Sequence, residues 1–144
     1  MKMIGENIKY SKRPGAYVII ERDEDNKIAI ATDTENVYFF FGGGIEQNET
    51  AEDALKREVI EESGYSLKNI KLFDKVESYC NSETPGYMDV EATIYIAKFD
   101  KKVTSPIEKD HKIIWVEPLK YKDKLYHEYQ RYILNKYTLK RKGK

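Results

Sequence analysis

Residues 43–65 read GGIEQNETAEDALKREVIEESGY, and this stretch decides the fold because it specifies one helix together with both of its ends. Thr50 can cap the first turn, and Asp53 three residues later completes a capping-box spacing. Ala51, Ala54, Leu55 and Val59 recur at helical spacing and give the helix one apolar face. Gly64 suits its end, because glycine enters the left-handed region without penalty. Glu58, Glu61 and Glu62 stand at i, i+3 and i+4, so their carboxylates leave one face with Cβ atoms about 5–6 Å apart. Like charges at that spacing cost a helix roughly 0.2–0.5 kcal/mol per pair. A hard divalent cation resolves the conflict, since Mg²⁺ takes oxygen ligands and keeps waters that phosphates can displace. A solvated acidic face is the commoner fate of a single glutamate in a charged chain. Against it here stand the glycines Gly42, Gly43 and Gly44, whose backbone can approach a metal or phosphate closely. Arg57, moreover, can reach Glu61 one turn on or Glu49 across the entering loop.

Outward from this helix the pattern changes to strands. Ala16–Ile20 is a short apolar run, Asp23 to Asn26 a turn, and Lys27–Ala31 a second strand. Val37–Phe41 reads as a third, running directly into the glycines, with alternate members of Tyr38 to Phe41 facing opposite sides of a sheet. After Gly64, alternation predicts strands over Ile70–Cys80, Val90–Phe99 and Ile113–Val116, the last broken by Pro118. Leu125, Tyr129, Tyr132, Ile133 and Lys136 mark the buried stripe of a C-terminal helix. The order β-β-β-α-β-β-β-α, with strands outnumbering helices and not alternating with them, predicts an α+β fold. Its form is a mixed β-sheet packed between helices, an α/β/α sandwich. No repeat, linker or shift in composition divides the chain, so residues 1–144 are expected to form one domain.

The 144 residues include 25 Lys plus Arg and 25 Asp plus Glu, for a net charge of zero. Nothing in that balance draws the chain to nucleic acid or to an acidic membrane surface. No apolar run approaches the ~20 residues of a membrane span, and the N-terminal residues lack the apolar core of a signal peptide. A single cysteine, Cys80, excludes an intrachain disulfide and reads as a buried small residue. A cytoplasmic protein acting on a small molecule is the expectation. The two histidines, His111 and His127, have no metal-ligand partner at useful spacing and read as solvated. The tyrosines among Tyr121, Tyr126, Tyr129, Tyr132 and Tyr137 read as a core-and-rim stripe rather than as a base-stacking platform.

The segment resembles the Nudix box. That family pattern is Gly, five residues, Glu, seven residues, Arg-Glu, an aliphatic residue, any residue, Glu-Glu, any residue, Gly and a closing aliphatic residue. Gly43, Glu49, Arg57, Glu58, Val59, Glu61, Glu62 and Gly64 fall in place. Tyr65 departs from the closing aliphatic position, and Phe41 stands where a proline usually precedes the glycine pair. The resemblance implies a Nudix fold and a MutT-like pyrophosphohydrolase. By similarity, Glu58, Glu61 and Glu62 would hold one to three Mg²⁺ ions, with Mn²⁺ as a substitute and the Gly42 carbonyl as a further ligand. Arg57 and Glu49 would orient them. A metal-activated water would attack one phosphorus of a nucleoside diphosphate derivative or a nucleoside triphosphate. Family members take the general base either from the box, here Glu61 or Glu58, or from a loop before a late strand, here Glu108. A non-catalytic nucleotide-sensing module and a hydrolase of non-nucleotide diphosphates are the rival readings. Family members are often dimers, which makes a homodimer one expectation.

Overall fold

The computed structural model describes residues 10–81, 87–107 and 111–142. Its organising strand is β1 (Tyr10–Glu21). One edge of β1 runs parallel to β6 (Tyr87–Lys102), with Tyr10–Ile20 facing Tyr87–Ala97 without a shift in register. The other edge is shared. β4 (Phe41–Gly44) lies antiparallel to Gly15–Val18, and β2 (Ile28–Thr32) takes Ile20 and Glu21. β2 then pairs with β3 (Tyr38–Phe39) and with β7 (Lys112–Val116), while β5 (Tyr65–Asn81) closes the far side antiparallel to β6. Among the described residues these strands form one seven-stranded mixed sheet. The helices are α1 (Ala51–Ser63), the short α2 (Pro118–Tyr121) and α3 (Glu128–Lys142).

The period of two along a strand divides the core into two layers. Val18, Ile20, Ala29, Ala31 and Phe41 point to one face, where they bury Leu55 and Val59 of α1. Ile19, Ile28, Ile30, Phe40 and Ile94 point to the other, against Ile133, Leu134 and Tyr137 of α3. Fully burying such a side chain is worth about 1.5–3 kcal/mol, so the two layers hold the helices in place far more firmly than helix propensity does. The predicted mixed sheet between helices is the fold that forms. No described helix is long and apolar enough to cross a membrane.

Several expected elements differ in detail. The strand expected over Val37–Phe41 is two strands, interrupted at Phe40, whose N–H donates to the buried Gln130 Oε1 of α3 at 2.9 Å. Tyr38 and Phe40 pack with the α3 layer and Phe39 and Phe41 with the α1 layer, so the alternation survives the interruption. β5 begins directly after Gly64 rather than at Ile70. Its pairing with β6 shifts register three times before Asp74, and Asn69 has φ 56°, which scrambles the alternation a sequence displays. Pro118 ends β7 but also opens α2, at a first-turn position that needs no N–H. In the C-terminal region Leu125 forms a bridge to Tyr38 ahead of α3, and Tyr132 is exposed. Gln130, Leu134 and Tyr137 fill the buried stripe instead, and Lys136 binds Asp74 at 2.6 Å.

The Phe40–Gln130 bond joins α3 to the strand that leads into the glycines. Gln130→Ala should lower unfolding stability by about 1–3 kcal/mol, because it leaves a buried backbone N–H without its acceptor. Urea denaturation measures it. A change below ~0.5 kcal/mol would mean that the interruption at Phe40 does not depend on this side chain.

Candidate active site

The helix ends form as their residues dictate. Thr50 Oγ1 accepts from the Asp53 N–H at 3.1 Å, and Gly64, at φ 82°, sends its N–H to the Ile60 carbonyl. Between these caps α1 presents Arg57, Glu58, Glu61 and Glu62 toward β4. Two glycines of β4 accept that approach. Gly42 adopts φ 139°, and a Cβ there would sit 2.2 Å from the Ala16 carbonyl oxygen. A Cβ on Gly43 would fall 2.5 Å from the Glu58 carboxyl carbon. The Glu58 carboxylate therefore occupies space that only glycine leaves open.

Arg57 organises the acids. Its Nε and Nη2 meet Glu49 Oε2 and Oε1 at 2.8 and 2.9 Å, a bidentate pair. Nη2 also donates to the Gly44 carbonyl at 3.1 Å, and Nη1 to Glu58 at 3.0 Å and Glu61 at 3.5 Å. Glu49 Oε1 further accepts from the Glu46 N–H at 2.8 Å, which folds the entering loop over the pair. Both routes expected for Arg57, to Glu61 and to Glu49, thus occur together. Glu62 is buried and accepts from the Gly42 N–H at 2.9 Å, so it anchors the helix to the glycines through their amide. Nothing beyond that amide contact bears on the expectation that the Gly42 carbonyl is a ligand. Glu108 lies outside the described residues, as does the side chain of Cys80. The donors here are carboxylate oxygens, the type a hard divalent ion takes, but among the described residues the three acids whose oxygens converge within 4.8 Å of one another are Glu77, Asp89 and Glu91, so Glu58, Glu61 and Glu62 would have to draw together around an ion.

Three side chains near this cluster escaped the sequence reading. Tyr17, on β1, lies across Gly15 and Gly42, where a Cβ at either position would strike its atoms. Burial raises its phenol pKa, the hydrogen bond with Tyr129 opposes that, and the charges of Glu62 and Glu58 add to it. His111 is half-buried rather than solvated, with Nδ1 3.9 Å from Glu62 Oε2. His127 is exposed, as expected, yet its ring stacks on Tyr129 at 5.5 Å and tilts against Phe39 at 5.7 Å; partial desolvation lowers its pKa, and Arg131 adds to the effect. Tyr17, His127 and Tyr129 line a cleft of ≈ 590 Å³ that reaches Gly44 and Ile45, beside the Arg57 cluster. The parity of Tyr17 along β1 was the available signal, but a tyrosine on an apolar strand reads as core.

The family model described as the NUDIX domain matches residues 11–137. Among solved structures, the chain is similar to a NUDIX hydrolase from Nitrosomonas europaea, with TM-score 0.74 and 15% identity over 90% of each chain. It is also similar to a MutT NUDIX hydrolase from Burkholderia pseudomallei, with TM-score 0.66 and 24% identity over 87% of this chain and 97% of that one. A structure from a study of MutT from Aliivibrio salmonicida and Vibrio cholerae gives TM-score 0.67 and 17% identity, covering 88% and 96%. These identities speak for a shared fold. No curated protein matches the chain in sequence.

The Arg57 hydrogen bonds, and after them the Glu46 N–H, hold the Glu49 carboxyl at about 2. A carboxyl with a depressed folded pKa adds stability that is complete above its unfolded value, near 4.5, and is lost as pH falls through the folded value. Carboxyl NMR should show Glu49 still ionised near pH ~3, where an unperturbed glutamate is protonated. In Arg57→Ala the midpoint should return to the ordinary range. An ordinary midpoint in the unaltered chain would show that the clasp does not form in solution.

Proposed function

The chain belongs to the Nudix family, as a hydrolase of the pyrophosphate-cleaving type, and from that premise we propose that it is a Mg²⁺-dependent enzyme of the cytoplasm, the setting typical of the family, splitting a diphosphate linkage in a nucleoside diphosphate derivative or nucleoside triphosphate. One observation carries this reading: of three glutamates on one helix face, Glu58 lies in the space Gly43 leaves free and Glu62 is bound at Gly42, while Arg57 ties Glu61 to Glu58. Residues 1–144 act in it as one hydrolase unit.

In this reading Glu58, Glu61 and Glu62 would hold the divalent ion, with Mn²⁺ as a substitute, and the Gly42 carbonyl would be a further ligand. When bound, such an ion lowers the pKa of its water and neutralises charge on phosphate oxygens. Arg57 keeps Glu49, Glu58 and Glu61 aimed together, and Glu49 keeps the loop folded over them. A box carboxylate, Glu61 or Glu58, takes the proton of the attacking water. Glu108 is the alternative base. That assignment rests on the resemblance to the family, since Glu108 lies outside the described residues. The cleft beside the cluster offers Tyr17, His127 and Tyr129 as flat surfaces for a nucleobase. The nucleotide class of the substrate rests on that cleft together with the family.

Turnover should be measured across nucleotide sugars, ADP-ribose, dinucleoside polyphosphates and nucleoside triphosphates, with and without Mg²⁺. Glu58→Gln and Glu61→Gln should each reduce turnover by about 10²-fold or more, the scale of a lost general base, with the thermal transition intact. If both variants keep near-unaltered rates, the assigned roles are wrong. If binding is Mg²⁺-dependent but no substrate turns over, the chain is a sensing module.

A further inference from the structure

A second group of acids lies away from α1. Glu77 on β5 and Asp89 and Glu91 on β6 each place one carboxylate oxygen so that the three lie within 4.8 Å of one another. The sheet register explains the meeting. Glu77 and Glu91 are directly opposite across β5–β6, and Asp89 is two residues from Glu91, on the same side of β6. Carboxylates directly opposite on neighbouring strands destabilise a sheet. The third makes this worse, for Asp89 is only 4% exposed. Its Oδ1 is shut off from solvent and accepts no hydrogen bond among the described residues. Burying an ionised carboxylate costs several kcal/mol unless a partner compensates, and an orphaned buried oxygen in a folded chain calls for an explanation.

Lys12, opposite Asp89 on β1, supplies part of one. Its Nζ meets Glu91 Oε2 at 3.2 Å, but the side chain is 71% exposed. A single mobile ammonium in water screens Glu91 without reaching the buried oxygen of Asp89. Oxygen donors held within 4.8 Å of one another match one coordination sphere, because ligands on opposite sides of a hard divalent ion stand about 4–5 Å apart. The half-exposed side of the group leaves room for waters to complete that sphere.

We propose that Glu77, Asp89 and Glu91 form a second divalent-cation site, taking a hard ion of the Ca²⁺, Mn²⁺ or Mg²⁺ class and separate from the acids of α1. The separation follows from the strands. Gly43, over which Glu58 lies, pairs with Ala16 of β1, and Ala16 pairs with Thr93 of β6, so Glu91 stands two residues along and two strands across from that glycine, roughly 12 Å at ordinary strand spacings, and Glu77 lies one strand farther. Lys12 then acts as the competing internal cation, displaced or pushed aside when the ion enters.

The test counts ions with Mn²⁺ alone, by electron paramagnetic resonance and calorimetry, on the full chain carrying Glu58→Gln and Glu61→Gln to weaken the helix site. One Mn²⁺ should remain bound. Adding Asp89→Asn, which is isosteric and removes a buried charge, or Glu91→Gln, should weaken that ion at least tenfold. Lys12→Ala should tighten it. Ca²⁺ should raise the thermal midpoint of the chain, and Asp89→Asn should abolish the rise. Absence of a remaining ion, or a remaining ion indifferent to both acid variants, overturns the site. In that event Asp89→Asn stabilises the chain equally with and without Ca²⁺, and Lys12 is a counter-charge rather than a competitor of an ion. Neither result bears on turnover by the helix cluster, so the two assignments fail independently.

Discussion

The site depends on the guanidinium of Arg57. Glutamates one turn apart repel each other, and a loop entering a helix has few reasons to fold back over it. Arg57 removes both difficulties with one planar group. It spends two donors on Glu49, one on the Gly44 carbonyl, and shares another between Glu58 and Glu61. These partners come from the loop, the end of β4 and two positions of the helix, so one side chain sets their relative positions. A lysine could neutralise the same charge but could not reach the same set, because its three donors radiate from a point rather than from a rigid fork.

The complement to that charge is missing side-chain volume. β4 is a strand of only four residues, three of them glycine, laid along the middle of β1. A strand with so few side chains would be weak at an edge. Here β1 is already fixed by its long parallel register with β6, and Phe41 buries itself beneath α1. The surrounding sheet thus tolerates a poor strand where function needs open space. Glu58 enters above Gly43, Glu62 takes the Gly42 amide, and Tyr17 lies over Gly15 and Gly42.

Legibility in the sequence followed how local the physics was. Thr50, Asp53 and Gly64 declare the ends of α1 through contacts spanning three or four residues, and both caps form where the spacing puts them. The glutamates at i, i+3 and i+4 likewise share a face by helix geometry alone. The regular strands show through alternation, which sufficed for the mixed sheet between helices. What stayed hidden needed partners far along the chain. Phe40 breaks a strand because of Gln130, ninety residues away. The start of β5 is concealed by register shifts that only β6 makes sensible. His111 looks solvated until β7 brings it against Glu62, and Tyr17 looks like core until the glycines beneath it are seen. Asp89 and Glu91 are ordinary charges in a charged chain until β5 sets Glu77 opposite Glu91 and within reach of Asp89.

The two acidic groups differ in how they are held when nothing external binds, and that difference bears on what each can do. At the Arg57 cluster each of four acids has a protein donor: Glu49 and Glu58 have Arg57, Glu61 shares it, and Glu62 has the Gly42 amide. A ligand there competes with bonds that already exist. Because Glu49 holds Nε and Nη2, Glu58 and Glu61 can give up Nη1 without releasing the arginine, so the frame stays in place while two carboxylates become available. That suits a site which must load and unload with each substrate. In the sheet group, Asp89 has a buried oxygen without a donor among the described residues, and the Lys12 ammonium stands in solvent on Glu91. A cation entering there competes with the exposed Lys12 for Glu91 but not with any described donor for the Asp89 oxygen. Such a site is better matched to an ion that stays, joining β5 to β6 beside a parallel β1 whose register carries the rest of the sheet.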